Sequence, residues 1–256
     1  MELTYFTSLL IFVVPPILIL GWIAIRRGAL TRLALGAIAI HVLLSVTYTT
    51  PWDNYLVASG VWWYNPEQIS GLLLGYVPIE EYIFFALQTI MTGLWVVLIM
   101  QKTASKAAEF TSDQSVRWLA ATASGLTGII CLGLLFTGTQ EIRYGALILS
   151  WASLPITLQF AFGADILLSR WRELLTAIIP PTIYLWLMDA TSIHQGIWTI
   201  DPIQTTGFRV STLPVEEMLF FFITNVMVVF GITLILAPES AHRINSYIQR
   251  IIGEKK

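Results

Sequence analysis

A chain of 256 residues with 56% hydrophobic and only 12% charged residues carries about half the charge of an ordinary globular domain, and its mean hydropathy is +0.73. So little polar area cannot cover a water-soluble body of this size, which makes lipid the main solvent. A formal net charge of −2 leaves no basic footprint for nucleic acid, and the single cysteine, Cys131, excludes an internal disulfide framework, a multi-thiolate zinc cluster and an iron–sulfur site.

Seven stretches approach the ~20 apolar residues that a crossing needs: Thr4–Ile25, Leu30–Thr49, Val77–Met100, Val116–Phe136, Gly145–Leu168, Leu174–Met188 and Leu213–Leu236. The expected fold class is therefore all-α, a polytopic membrane bundle of about seven helices. Pro180 and Pro181 interrupt the sixth stretch, which is tolerable where neighbouring groups satisfy the freed carbonyls. Arg26, Arg27, Arg32, Lys102, Lys106, Arg117, Arg170, Arg172, Arg243, Arg250, Lys255 and Lys256 fall on one side of these spans, and only Arg143 and Arg209 on the other. That asymmetry places the N-terminus outside and the C-terminus in the cytoplasm of a cell-membrane protein. Met1-Glu2 lacks a basic leader, so the first stretch reads as a retained span and not a cleaved signal.

The chain matches itself once, at a constant offset and without a gap. Asp53, Gly60, Trp62, Pro66, Gln68, Gly71, Pro78, Glu80, Glu81, Phe84 and Phe85 fall on Asp189, Gly196, Trp198, Pro202, Gln204, Gly207, Pro214, Glu216, Glu217, Phe220 and Phe221. Each half is thus a three-span unit, and the unmatched fourth span restores a common orientation, making the halves parallel repeats about an axis along the membrane normal. The division is a first repeat over 1–101, a connecting loop and linking span over 102–140, a second repeat over 141–237 and a tail over 238–256. Both matching loops then open on the same outer face and build one site from two sides.

The centre of the repeat reads Val77-Pro78-Ile79-Glu80-Glu81-Tyr82-Ile83-Phe84-Phe85 and Leu213-Pro214-Val215-Glu216-Glu217-Met218-Leu219-Phe220-Phe221. Proline suits a first helical turn, and carboxylates there gain from the positive helix end. One such pair reads equally well as interfacial or capping. Two copies in one frame point to function, because carboxylates within a membrane are costly. Glutamates close together in a dry pocket cannot all ionise, so an acid and a base share one site. Phe84, Phe85, Phe220 and Phe221 lie one turn further on. Among the other repeated residues, Asp53 and Asp189 end their spans, and Trp62 and Trp198 stand in the outer loops, where a headgroup-level belt is the alternative reading. His41 and His194 occupy unrelated positions. Neither a Gly-x-Gly-x-x-Gly after a strand nor a Walker lysine loop is present, the last span has no lysine for a Schiff base, and the aspartates are not clustered for magnesium–diphosphate.

The duplicated Pro-x-Glu-Glu at the head of an aromatic helix resembles the lycopene cyclase domain family, in a fused form of halves that some bacteria keep as separate subunits. The Tyr5 context and Pro51-Trp52-Asp53-Asn54 also fit that family, whereas Asp189-Ala190 departs from Asp53-Asn54. The resemblance implies redox-neutral cyclisation of the ψ ends of lycopene, commonly to β rings, giving γ- and β-carotene. It implies no cofactor or metal. Lycopene and γ-carotene would be lipid-soluble substrates, membrane lipid the surroundings, and other carotenoid enzymes possible neighbours. Glu80, Glu81, Glu216 and Glu217 would divide the roles of proton donor, acceptor and cation stabiliser, and Glu80→Gln or Glu216→Gln is expected to abolish ring formation. Trp62, Trp198, Phe84, Phe85, Phe220, Phe221, Asp53 and Asp189 would contact substrate. A carotenoid end-group hydratase and a non-catalytic carotenoid-binding or transport protein are the alternatives.

Overall fold

The computed structural model describes residues 3–103 and 110–253; Lys106, Lys255 and Lys256, used above for orientation, lie outside the described residues. Seven helical segments among the described residues are long and apolar enough to cross a membrane. The first consists of α1 (Tyr5–Phe12) and α2 (Val14–Arg26). The others are α3 (Arg32–Ala58), α4 (Ile79–Thr103), α5 (Gln114–Leu134), α6 (Arg143–Ser169), α7 (Trp171–His194) and α8 (Val215–Leu236), followed by α9 (Pro238–Gly253). The two helices that begin with the paired glutamates, α4 and α8, are the most buried and pack on each other at the centre, with α2, α3, α6 and α7 around them. The unmatched helix α5 lies outside, against α6.

The helices run through their internal prolines. α3 continues through Pro51 to Ala58, and α7 continues through Pro180 and Pro181 from Trp171 to His194. Each internal proline leaves the carbonyl four residues earlier without its N–H partner, and for Pro180, Pro155 and Pro16 another helix supplies a replacement. Trp95 Nε1 donates to the Thr176 carbonyl freed by Pro180, at 3.0 Å. The Tyr48 hydroxyl donates to the Trp151 carbonyl freed by Pro155, and the Tyr184 hydroxyl to the Phe12 carbonyl freed by Pro16, both at 2.8 Å. Because these helices run on, Asp53 and Asp189 stand inside α3 and α7, fully buried, and not at span ends.

The matching loops meet over one end of the bundle. β1 (Trp62–Tyr64) pairs antiparallel with β4 (Trp198–Ile200), with Trp63 opposite its own counterpart Thr199, as a two-fold through the ladder centre requires. The repeated glutamines stitch the loops together: Gln68 Nε2 donates to the Gln195 carbonyl at 3.1 Å, and Gln204 Nε2 to the Gly60 carbonyl at 2.9 Å. Two hairpins, β2 (Leu73–Leu74) with β3 (Val77–Pro78) and β5 (Arg209–Val210) with β6 (Leu213–Pro214), lead into α4 and α8. Pro78 and Pro214 therefore precede their helices instead of occupying the first turn. Gly75 and Ser211 occupy the same turn position with positive φ. Asn54 Oδ1 accepts from the Tyr76 N–H beside Gly75 and would collide with a Cβ there; Ala190 replaces Asn54 in the other half, where the turn accepts serine.

At the opposite end α6 kinks at Gly163, and Arg243 of α9 donates to the freed Phe162 carbonyl and to both oxygens of Asp165.

Candidate active site

Consecutive residues in a helical turn point about 100° apart, and this separates the paired glutamates. Glu80 turns towards its own loop, where Oε1 accepts the Ser70 N–H at 2.5 Å and Oε2 the Ser70 hydroxyl at 3.1 Å. Glu216 does the same with Thr206, whose N–H and hydroxyl both donate to Oε1 at 2.7 Å. Both are buried, and both hold the loop against the helix start. They are loop clamps, outside the cavity.

Glu81 and Glu217 point into the bundle. Glu81 Oε2 accepts the Tyr5 hydroxyl at 2.6 Å and the Tyr64 hydroxyl at 3.0 Å. Glu217 Oε1 accepts the Tyr144 hydroxyl at 2.6 Å. Burial, and then the neighbouring Glu81 charge, push the Tyr64 phenol well above its ordinary range, so Tyr64 stays a hydrogen donor. Tyr5 and Tyr144 are the first residues of span 1 and the second of α6, and each brings a phenol to the glutamate of its own half.

These groups line a cavity of about 30 Å³, shared by Glu81, Glu217, Asp189, Trp62, Trp198 and the rings of Phe84, Phe220 and Phe221. That volume holds one or two waters. Asp189 Oδ1 accepts from Trp198 Nε1 at 3.0 Å, which fixes the indole over Tyr5 with ring centroids 5.0 Å apart. Trp62 packs edge-on against Tyr144 at 5.6 Å and donates to the Tyr64 hydroxyl at 3.2 Å. Both tryptophans are therefore parts of the chamber wall and not a headgroup belt. Asp53 does not line the cavity, yet Asp53 and Asp189 each lie in the field of both Glu81 and Glu217. One oxygen of each aspartate is buried without a partner. No lysine, arginine or histidine lines the chamber, and the ion pairs among described residues join Arg117, Arg170 and Arg243 to Asp165 and Glu239 elsewhere.

Phe84, Phe220 and Phe221 also line a second, larger cavity of about 360 Å³ deeper in the bundle. Phe85 lines only this one. Phe84 and Phe221 meet edge-on at 6.0 Å and Phe220 and Phe221 at 5.3 Å, while Trp52 stacks between Trp151 at 4.5 Å and Phe220 at 5.7 Å. A carboxyl–phenol chamber and an apolar hall thus share an aromatic partition.

The sequence singled out Glu81, Glu217, Asp189, both tryptophans and three phenylalanines that the structure brings together. It missed Tyr5 as a partner of Glu81 and missed Tyr64 and Tyr144 altogether. A signal was present: Glu2-Leu3-Thr4-Tyr5 and Glu141-Ile142-Arg143-Tyr144 share Glu and Tyr, and Pro16 and Pro155 follow at the same spacing. This match is three residues out of step with the main one, because a single residue, Arg170, joins α6 to α7 where residues 27–31 join α2 to α3.

Fold and site together define a polytopic membrane protein with a buried acid chamber walled by aromatic rings that it shares with an apolar cavity. The lycopene cyclase family model matches residues 2–100 and 143–235, and the chain belongs to that family. The lycopene beta-cyclase of Halobacterium salinarum is 39% identical over 235 residues, covering 91% of this chain and 96% of that protein. The bifunctional lycopene cyclase/phytoene synthase of Aspergillus oryzae is 35% identical over 215 residues, covering 80% of this chain and 35% of that one. No solved structure matches.

Proposed function

We propose that this lycopene cyclase of carotenoid biosynthesis closes β rings on lycopene, with Glu217 as the proton donor and Glu81 as the acceptor. The observation that carries this is the pairing of two buried glutamates with phenol donors in one chamber that has no cationic partner. Four acids without a counterion cannot all be charged in a dry site, so protons are shared among them. Glu217 accepts one phenol at Oε1, whereas Glu81 accepts two at Oε2, which favours the charged form at Glu81 and the proton at Glu217.

Proton transfer to C2 of the terminal C1=C2 bond leaves a cation at C1. The C5=C6 electrons form the C1–C6 bond and move the charge to C5, and loss of the C6 proton to Glu81 gives the C5=C6 bond of a β ring. Atoms and electrons balance with no oxidant. Phe84, Phe220 and Phe221 face the migrating charge, each worth about 2 kcal/mol when desolvated. Asp53 and Asp189, each in the field of both glutamates, bias where the site's protons reside between turnovers. The first closure yields γ-carotene and the second β-carotene. The two repeats, 1–101 and 141–237, each supply one glutamate, and the chamber lies at the outer end of a cell-membrane bundle with the N-terminus outside and the tail in the cytoplasm. Other carotenoid enzymes are its neighbours there.

Expression in a lycopene-accumulating host, with product identification, tests this. The wild type should give β-carotene, and Glu81→Gln and Glu217→Gln should leave lycopene uncyclised at equal membrane levels. Full β-carotene yield from both variants removes the acid–base assignment, and a tertiary alcohol from the wild type assigns the chamber to hydration.

A further inference from the structure

The larger cavity opens sideways. Leu44 of α3 and Leu154 and Leu158 of α6 line it, yet each is more than half exposed on the lipid-facing side of the bundle. α3 and α6 are tied at the loop end by Tyr48 to the Trp151 carbonyl and by Trp52 Nε1 to the Leu147 carbonyl. Deeper in the membrane the cavity mouth lies between them. Its inner end is the partition of Phe84, Phe220 and Phe221, which the acid chamber shares.

The internal repeat predicts a second mouth between α7 and the first span, and that one is filled. Ser45 and Thr49 of the open side correspond to Pro181 and Leu185, and His41 to Ala177, all three of which are buried. There α1 packs directly on α7, and the Ser8 and Ser192 hydroxyls meet at 3.1 Å. Pro181 and Leu185 fill one copy of the cleft where the smaller, polar Ser45 and Thr49 line the other.

We propose that a linear polyene end enters from the bilayer through the single mouth between α3 and α6 and reaches the acid chamber past the phenylalanine partition. This rests on the cyclase reading for the chemistry, though not for the route. Because both glutamates flank one chamber and one mouth serves it, the two ends of a polyene are treated in succession. The singly closed product leaves, turns end for end in the lipid and returns.

Three measurements in proteoliposomes carrying lycopene test the route. Leu158→Trp, at the mouth, should slow lycopene consumption at least ten-fold, whereas Ile19→Trp, its counterpart on the filled side, should stay within two-fold. Equal slowing by both tryptophans, or none from Leu158→Trp, overturns the proposal. In a Cys131→Ala background, lycopene should shield Ser45→Cys but not Ile19→Cys from a lipid-soluble maleimide. This readout needs no turnover: shielding without conversion would keep the route and sink the cyclase reading, and conversion without shielding would do the reverse. In a time course with excess lycopene, monocyclic product should dominate early, and bicyclic product from the first turnovers would overturn the single mouth.

Discussion

The Tyr144 hydroxyl donates to Glu217 Oε1 at 2.6 Å, and the ring stands edge-on to Trp62 with centroids 5.6 Å apart. One side chain thus orients both an acid and a wall of the chamber. Tyr144→Phe keeps the ring contact and removes only the donor. A hydrogen bond to a charged or proton-sharing carboxyl is worth about 1.5–3 kcal/mol, so kcat should fall roughly 10- to 100-fold with KM nearly unchanged. Tyr5→Phe should cost less, because Tyr64 still donates to Glu81. Steady-state kinetics of the two variants in proteoliposomes compares them, and a larger loss from Tyr5→Phe would contradict the division of donors.

The adjacent glutamates should respond oppositely to substitution. Glu81→Gln is expected to lower turnover by about 10²–10⁴ with no loss of thermal stability, since it removes a charge from a crowded dry site. Glu80→Ala strands the Ser70 N–H and hydroxyl and should cost about 1–3 kcal/mol of stability, while Glu80→Gln retains one acceptor and much of the activity. Melting temperature and turnover measured on the same preparations separate the two roles. Under the proposed assignment, the loss of ring formation expected for Glu80→Gln or Glu216→Gln falls on Glu81→Gln and Glu217→Gln, and the same turnover assay on all four variants distinguishes the two.

Hydropathy gave the seven spans, and duplication gave the glutamate pairs and their aromatic neighbours. The choice within each pair was not readable, because Glu80 and Glu81 share a turn and differ only in what lies around them. Ser70 and Thr206, ten residues upstream, hold Glu80 and Glu216 towards the loops. Asp53 and Asp189 looked terminal because the apolar stretches stop just before them, at Thr49 and Met188, whereas α3 and α7 run on to Ala58 and His194. Tyr144 was hidden by a shorter connection that shifted the register of one helix. Contacts within the repeat's rigid frame were legible; those that depend on which neighbour supplies a missing partner were not.

Phe221 belongs to both cavities and touches Phe84 and Phe220. If its ring stabilises the C1 and C5 cations, Phe221→Leu should lose about 2 kcal/mol of that stabilisation, or about 30-fold in kcat. Phe221→Tyr, which preserves the π face, should lose less. The ratio of the two kcat values is the measurement, and similar losses from both would point to packing in place of charge stabilisation.

The Tyr184 hydroxyl and the Phe12 carbonyl form a pair that can be tested by rescue. Pro16 cannot supply the helical N–H that Phe12 lacks, and Tyr184 supplies a hydroxyl from the other half at 2.8 Å. Tyr184→Phe should leave that carbonyl stranded in the membrane and destabilise the bundle by about 1–3 kcal/mol. Pro16→Ala restores a local N–H, so adding it to Tyr184→Phe should recover most of the loss. The two substitutions should therefore couple by 0.5 kcal/mol or more, as about 0.5–3 kcal/mol is usual for groups in contact. Denaturant unfolding of the two single variants and the double variant in detergent reads the coupling. Strict additivity would mean that Tyr184 serves only as packing, and the same cycle on Tyr48 and Pro155 asks whether the open side of the bundle is held in the same way.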